Sequence, residues 1–221
     1  MFVGHFGVGL AAKRVAPTVS LGTLFLSVQL ADGLWPLFLL LSLEHVRIVP
    51  GLKAASPLDF TDYPFSHSLV TLAGWGVAFG AIYWLIRRNG WAALVLAGGV
   101  VSHWLLDVIV HRPDLPVFPD GPYLGLGLWQ SIPATLVAEG ALYLGGLALY
   151  LTATTAKDRI GHYALWSFYG LLAVIWIANL LGPPPPNERT LAFSGVAMWI
   201  TIPWAYWIDR HRSPRQRFRR G

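Results

Sequence analysis

The chain has 221 residues, is 55% hydrophobic and only 12% charged, and carries a formal net charge of +5. A soluble domain of this size normally holds about a quarter charged residues, so the composition excludes an ordinary soluble globular protein. It contains no cysteine, which excludes disulfides and thiolate metal sites and leaves His, Asp, Glu and carbonyl oxygens as the only metal donors.

In chain order, residues 1–12, MFVGHFGVGLAA, are apolar but too short to cross a bilayer and predict a half-length or interfacial helix. They lack the charged leader and cleavage site of a signal peptide. Six apolar runs follow at 20–43, 67–86, 91–111, 128–152, 162–181 and 190–208. Each is about 20 residues long, the length a helix needs to span a ~30 Å hydrocarbon core. The expectation is an all-α polytopic membrane protein with six transmembrane helices and a short N-terminal half-helix. Residues 1–208 form one integral membrane domain, with the chemistry concentrated in 1–115, and 209–221 form a basic tail. The 11 tryptophans, many near run ends, suit an interfacial aromatic belt.

Orientation follows from the basic residues. Lys13, Arg14, Arg87, Arg88, Lys157, Arg159 and the arginines of DRHRSPRQRFRRG fall on one side of a six-span arrangement, with Arg47, Lys53, Arg112 and Arg189 on the other. The positive-inside rule places the first group, and the C-terminus, in the cytoplasm. The tail then reads as a topology anchor on anionic membrane lipid rather than a nucleic-acid surface.

Ionisable groups inside spans are costly, roughly 2.5–3.5 kcal/mol each on insertion scales, and mark function. Asp32 lies in QLADGLWP, His103 and Asp107 in SHWLLDVIVHRPD, and Glu139 in TLVAEGAL; His67 and His111 sit at outer ends. His103, Asp107 and His111 recur every fourth residue, which puts them on one helix face. Pro36 removes the N–H that the Asp32 carbonyl would bond, so a kink is expected there. With a rise of 1.5 Å per residue, Asp32 lies roughly 16 Å, His103 about 12 Å and Asp107 about 6 Å below the outer end, and His5 reaches about 10 Å in from the other side. Glu139 is expected to serve a structural or supporting role, protonated or hydrogen-bonded to a neighbouring helix.

The order GHF, an Asp in the next apolar helix, FSHS opening the following span, and then SHWLLD resembles the DUF457 group of bacterial inner-membrane proteins, described as membrane-bound metal-dependent hydrolases. The His/Asp order is also similar to that of zinc-dependent phospholipase C and the related single-strand nucleases. The resemblance covers about residues 1–115. It implies a bacterial inner-membrane location and metal ligation by His5, Asp32, His67, His103 and Asp107; His111 and His45, beside these, are expected as second-tier ligands. Two departures are visible: ADGLWP replaces a denser P-D-x-D-H motif, and DYPFSHS puts Asp62 where the family has a histidine. The donor set suits a divalent ion, zinc first, manganese or iron next. Glu44, Asp59 and Asp62, in the outer loop, are expected to orient a histidine or act as base, with Glu44 and Asp62 as the catalytic candidates. A lipid or lipid-linked phosphoester is the implied substrate. Two rival readings are an ion or proton transporter, on the strength of Pro-broken helices with buried charges, and a non-catalytic subunit whose cluster is structural.

Overall fold

The computed structural model describes residues 1–215. Its elements are α1 (Val3–Ala12), α2 (Leu21–Val28), α3 (Leu30–Leu40), β1 (His45–Ile48), β2 (Leu58–Asp62), α4 (Pro64–His67), α5 (Leu69–Arg87), α6 (Gly90–Val110), β3 (Leu115–Pro116), β4 (Tyr123–Leu124), α7 (Ile132–Ala153), β5 (Thr154–Ala156), α8 (Arg159–Leu181), α9 (Glu188–Ala197), α10 (Thr201–Arg210) and β6 (Arg212–Pro214). The protein is all-α and polytopic. Among the described residues α5, α6, α7, α8 and the stretch Glu188–Arg210 are each long and apolar enough to cross a membrane, and the bent pair α2–α3 makes a sixth.

Helix boundaries follow local chemistry. Ser20, Ser68, Asn89, Ser131, Asp158 and Asn187 each accept a backbone N–H at the start of a long or medium helix, satisfying donors that the helix itself leaves open. Arg88, at φ 53°, ends α5 in the left-handed region and turns the chain directly into α6. α7 starts at Ile132 rather than 128, because Leu128–Gln130 form a 3-10 turn that Ser131 closes.

The sixth span departs from expectation in where it bends. α2 and α3 meet at 57°, and the break lies at Gln29 (φ −105°, ψ 9°), not at Pro36, which stays inside α3. The break is tied to tertiary structure: the Val28 carbonyl accepts a hydrogen bond from the His103 ring instead of serving a continuous helix.

α1 is no interfacial helix. Val3, Phe6 and Leu10 are buried in a core with Phe25, Val28, Tyr143, Leu147, Phe168 and Leu172. It runs so close to α7 that Gly7 lies against the Leu142 backbone and Gly146 against Gly7. Outward residues such as Val77, Ile86, Leu94, Val137 and Val174 are exposed and apolar, as a surface facing lipid requires.

The two ends differ. At one, Lys13 donates to Asp209, Arg14 to Thr152 and Lys157 to the Arg210 carbonyl, so these four of the basic residues expected on one side lie at one end. There the beginning of the expected free tail is ordered: β6 pairs antiparallel with β5, while residues 216–221 lie outside the described residues. At the other end the β1–β2 hairpin and the β3–β4 pair cap the bundle.

Candidate metal centre

Three helices and one short turn converge under that cap. α6 supplies His103 and Asp107 from adjacent turns, and His111 immediately follows its last turn. α1 supplies His5, whose ring stacks on His103 at 3.6 Å between centroids and 7° between planes. Asp32 enters from the first turn of α3, where a helix N-terminus favours a carboxylate. His67 closes α4.

The donor atoms face one another. His103 Nε2 stands 3.4 Å from Asp107 Oδ2 and 3.6 Å from Asp32 Oδ1; His67 Nε2 is 3.6 Å from Asp32 Oδ1 and 3.9 Å from Asp107 Oδ2. His111 Nε2 is also 3.9 Å from Asp107 Oδ2. On the other carboxylate oxygen, His5 Nε2 lies at 3.1 Å, and the Met1 amino group contacts the same atom. Two overlapping triads result, His5/His103/Asp107 and Asp32/His67/His103, each with its donor atoms within 4.8 Å of one another.

Each of three imidazoles is oriented from behind. His103 Nδ1–H donates to the Val28 carbonyl at 2.8 Å. His111 Nδ1–H donates to Asp114 Oδ1 at 2.8 Å. His67 Nδ1–H donates to Ser66 Oγ at 2.7 Å, and Ser66 in turn donates to Glu44 Oε2 at 2.6 Å. With Nδ1 engaged from behind, each Nε2 points inward. This arrangement could hold a metal ion.

The residues fit a divalent cation on a further observation. His103 Nε2 is buried and makes no hydrogen bond among the described residues, although two carboxylate oxygens stand 3.4 and 3.6 Å away. Four donors bound at 2.0–2.2 Å in a tetrahedron lie about 3.3–3.6 Å apart; three of the separations above fall in that range, and His67 Nε2 to Asp107 Oδ2 is longer at 3.9 Å. Asp32 and Asp107 bring two carboxylates to the cluster, one of them met by the Met1 amino group.

The other expected site residues are placed elsewhere. Glu44 is buried but spent on structure: it accepts the Phe65 and Ser66 N–H groups and the Ser66 hydroxyl, fixing α4 and thereby His67. Asp62 ends β2, exposed, 3.4 Å from the equally exposed His45, and is not brought to the cluster. Asp59 binds Arg47 and Arg112. Glu139 accepts the Phe2 N–H at 2.8 Å and so steadies the start of α1, which carries His5.

Several contributors carried little sequence signal. Asp114 follows His111 by three residues in HRPD, and Ser66 precedes His67 in FSHS, so both were findable as neighbours of a candidate ligand. Burial opposes ionisation of Asp114, but the hydrogen bond and charge of His111, then Lys53 and Arg112, outweigh it and hold the carboxyl below its usual range. The Tyr63 hydroxyl, pushed well above its ordinary value by burial and then by Asp114, remains a phenol that donates to the Asp114 carbonyl at 2.9 Å.

A cavity of about 740 Å³ opens onto the cluster, with Asp32, His67, Asp107 and His111 in its wall. Apolar groups from α1, α2, α8 and Met198–Ile202 also line it. No family model, no curated protein and no solved structure matches this chain.

Proposed function

We propose that the protein is an integral membrane metal-dependent hydrolase that cleaves a phosphoester of a lipid-like substrate. The convergence of His67, His103 and His111 Nε2 on the Asp32 and Asp107 carboxylates, each ring oriented from behind, carries this reading. Asp32, His67, His103 and Asp107 would hold the ion, with His5 and His111 beside them. Bound there, a divalent cation polarises a phosphoryl oxygen and acidifies water. The donors favour zinc, manganese or iron.

The chain's own residues do the rest. Asp32, with 38% of its side chain exposed in the cavity wall, is the carboxylate placed to take a proton released from water. Glu44 and Ser66 hold His67 in register. The apolar cavity walls exclude bulk water and accept a hydrocarbon chain. This reading agrees with the resemblance to the DUF457 group. It sets the chain in the bacterial inner membrane with its basic end in the cytoplasm, so the centre opens towards the outer leaflet.

The break between α2 and α3 beside buried carboxylates also suits a transporter. The cluster does not continue as a polar path along α1, however, where Phe6 and Leu10 join the apolar core. The deciding assay gives phospholipid vesicles to the purified chain with zinc or manganese and follows release of water-soluble phosphoester. Release that stops with chelator and in Asp32→Asn is expected. Release that survives both contradicts the proposal, and ion flux into proteoliposomes lost in Asp32→Asn would replace it with transport.

A further inference from the structure

Beside the cavity, two carboxylates, Asp59 and Asp114, meet three cations, Arg47, Arg112 and Lys53. Arg47 donates to Asp59 Oδ2 at 3.0 Å, and Arg112 contacts Asp59 Oδ1. Arg112 Nε also donates to Asp114 Oδ2 at 3.1 Å, while His111 takes Asp114 Oδ1. Both carboxylates therefore have both oxygens engaged before Lys53 is considered. Lys53 is 3.7 Å from Asp114 Oδ2, its side chain is 1% exposed, and its Nζ makes no hydrogen bond among the described residues.

A buried ammonium with N–H groups unmet is expensive. The rings of Phe60 and Trp129, 4.9 and 5.2 Å from Nζ, attract the cation but accept no conventional hydrogen bond. Lys53 lines the cavity, so the acceptor it lacks is one that enters there. The same two rings pack on His111 at 4.7 Å each, and His111 Nε2 faces Asp107. An anion on Lys53 thus sits beside the metal cluster. Trp35, Leu26, Trp176, Ile175 and Ile202 line the same cavity.

We propose that Lys53 anchors the phosphate head of a membrane lipid whose chain occupies the cavity between α2–α3 and α8–α10. This deepens the hydrolase reading and rests on it for what happens after binding, but the binding step needs no metal.

The test measures binding of dioleoyl phosphatidate, dioleoylglycerol and inorganic phosphate to the full chain in detergent, with chelator present throughout. Wild type should prefer phosphatidate to both other probes by about tenfold or more, the worth of a hydrogen bond to a charged group. Lys53→Gln should lose that preference, Lys53→Arg should keep most of it, and dioleoylglycerol binding should not respond to either change. Equal binding of phosphatidate and dioleoylglycerol by wild type overturns the proposal without requiring any variant to fold. Undiminished preference in a folded Lys53→Gln overturns it too, and inorganic phosphate binding as tightly as phosphatidate would assign the site to a free anion. Because metal and turnover are absent, none of these outcomes depends on whether the chain is a hydrolase.

Discussion

At the scale of single residues, the centre depends on side chains that never face it. Ser66 accepts the Nδ1–H of His67 and donates its own hydroxyl to Glu44; removing the hydroxyl frees the ring to rotate or to change tautomer. Ser66→Ala should therefore lower metal affinity by roughly 10- to 100-fold, the usual effect of losing such a partner. Metal titration followed by far-UV circular dichroism checks it: weaker binding with unchanged helix content is expected, and unchanged affinity would show that the Glu44–Ser66 relay does not orient His67. The inward-facing residues themselves were legible. His103 and Asp107 announce themselves by i, i+4 spacing within an apolar run, and Asp32 by the cost of a carboxylate in mid-span. Asp114 and Ser66 were findable only as sequence neighbours of His111 and His67, and Lys53 was not legible, because it reaches the site through a loop whose path no periodicity encodes. Asp62 misled for the same reason: proximity in sequence to His67 did not survive the turn at Tyr63–Pro64.

At the scale of elements, two departures from regular spans build the site. The break at Gln29 gives His103 a carbonyl partner and sets Asp32 at a fresh helix N-terminus. The proline four residues after Asp32 suggested a bend but marked the wrong place, since Pro36 fits inside α3 and packs against Gly195. The half-length α1 was recognisable from its length, whereas its burial against α7 was not. That approach needs glycine on both helices: a Cβ on Gly7 would collide with the Leu142 backbone, which cannot yield as a flexible side chain would. Gly7→Ala should destabilise the fold by about 1–3 kcal/mol, as overpacking does, and should shift His5 from Asp107. A lower unfolding midpoint with weaker metal binding is expected. Wild-type stability would mean that α1 and α7 are not packed this closely.

At the scale of the whole molecule, the polytopic helical architecture was readable from composition and run length, because a bilayer leaves few alternatives for twenty apolar residues. The basic residues at one end and the His/Asp cluster towards the other give the molecule a direction. A reporter fused after Gly221 should be active only if it functions in the cytoplasm; a working periplasmic reporter there would invert the orientation and move the centre to the inner leaflet. All of this serves one claim, that Asp32, His67, His103 and Asp107 form a site for a divalent ion. Elemental analysis of the purified full chain, alongside Asp107→Ala, tests it most directly. The expected result is zinc, manganese or iron at a stoichiometric level in the wild type and its loss in the folded variant. A wild-type protein with no bound metal, and none taken up on titration, would contradict it.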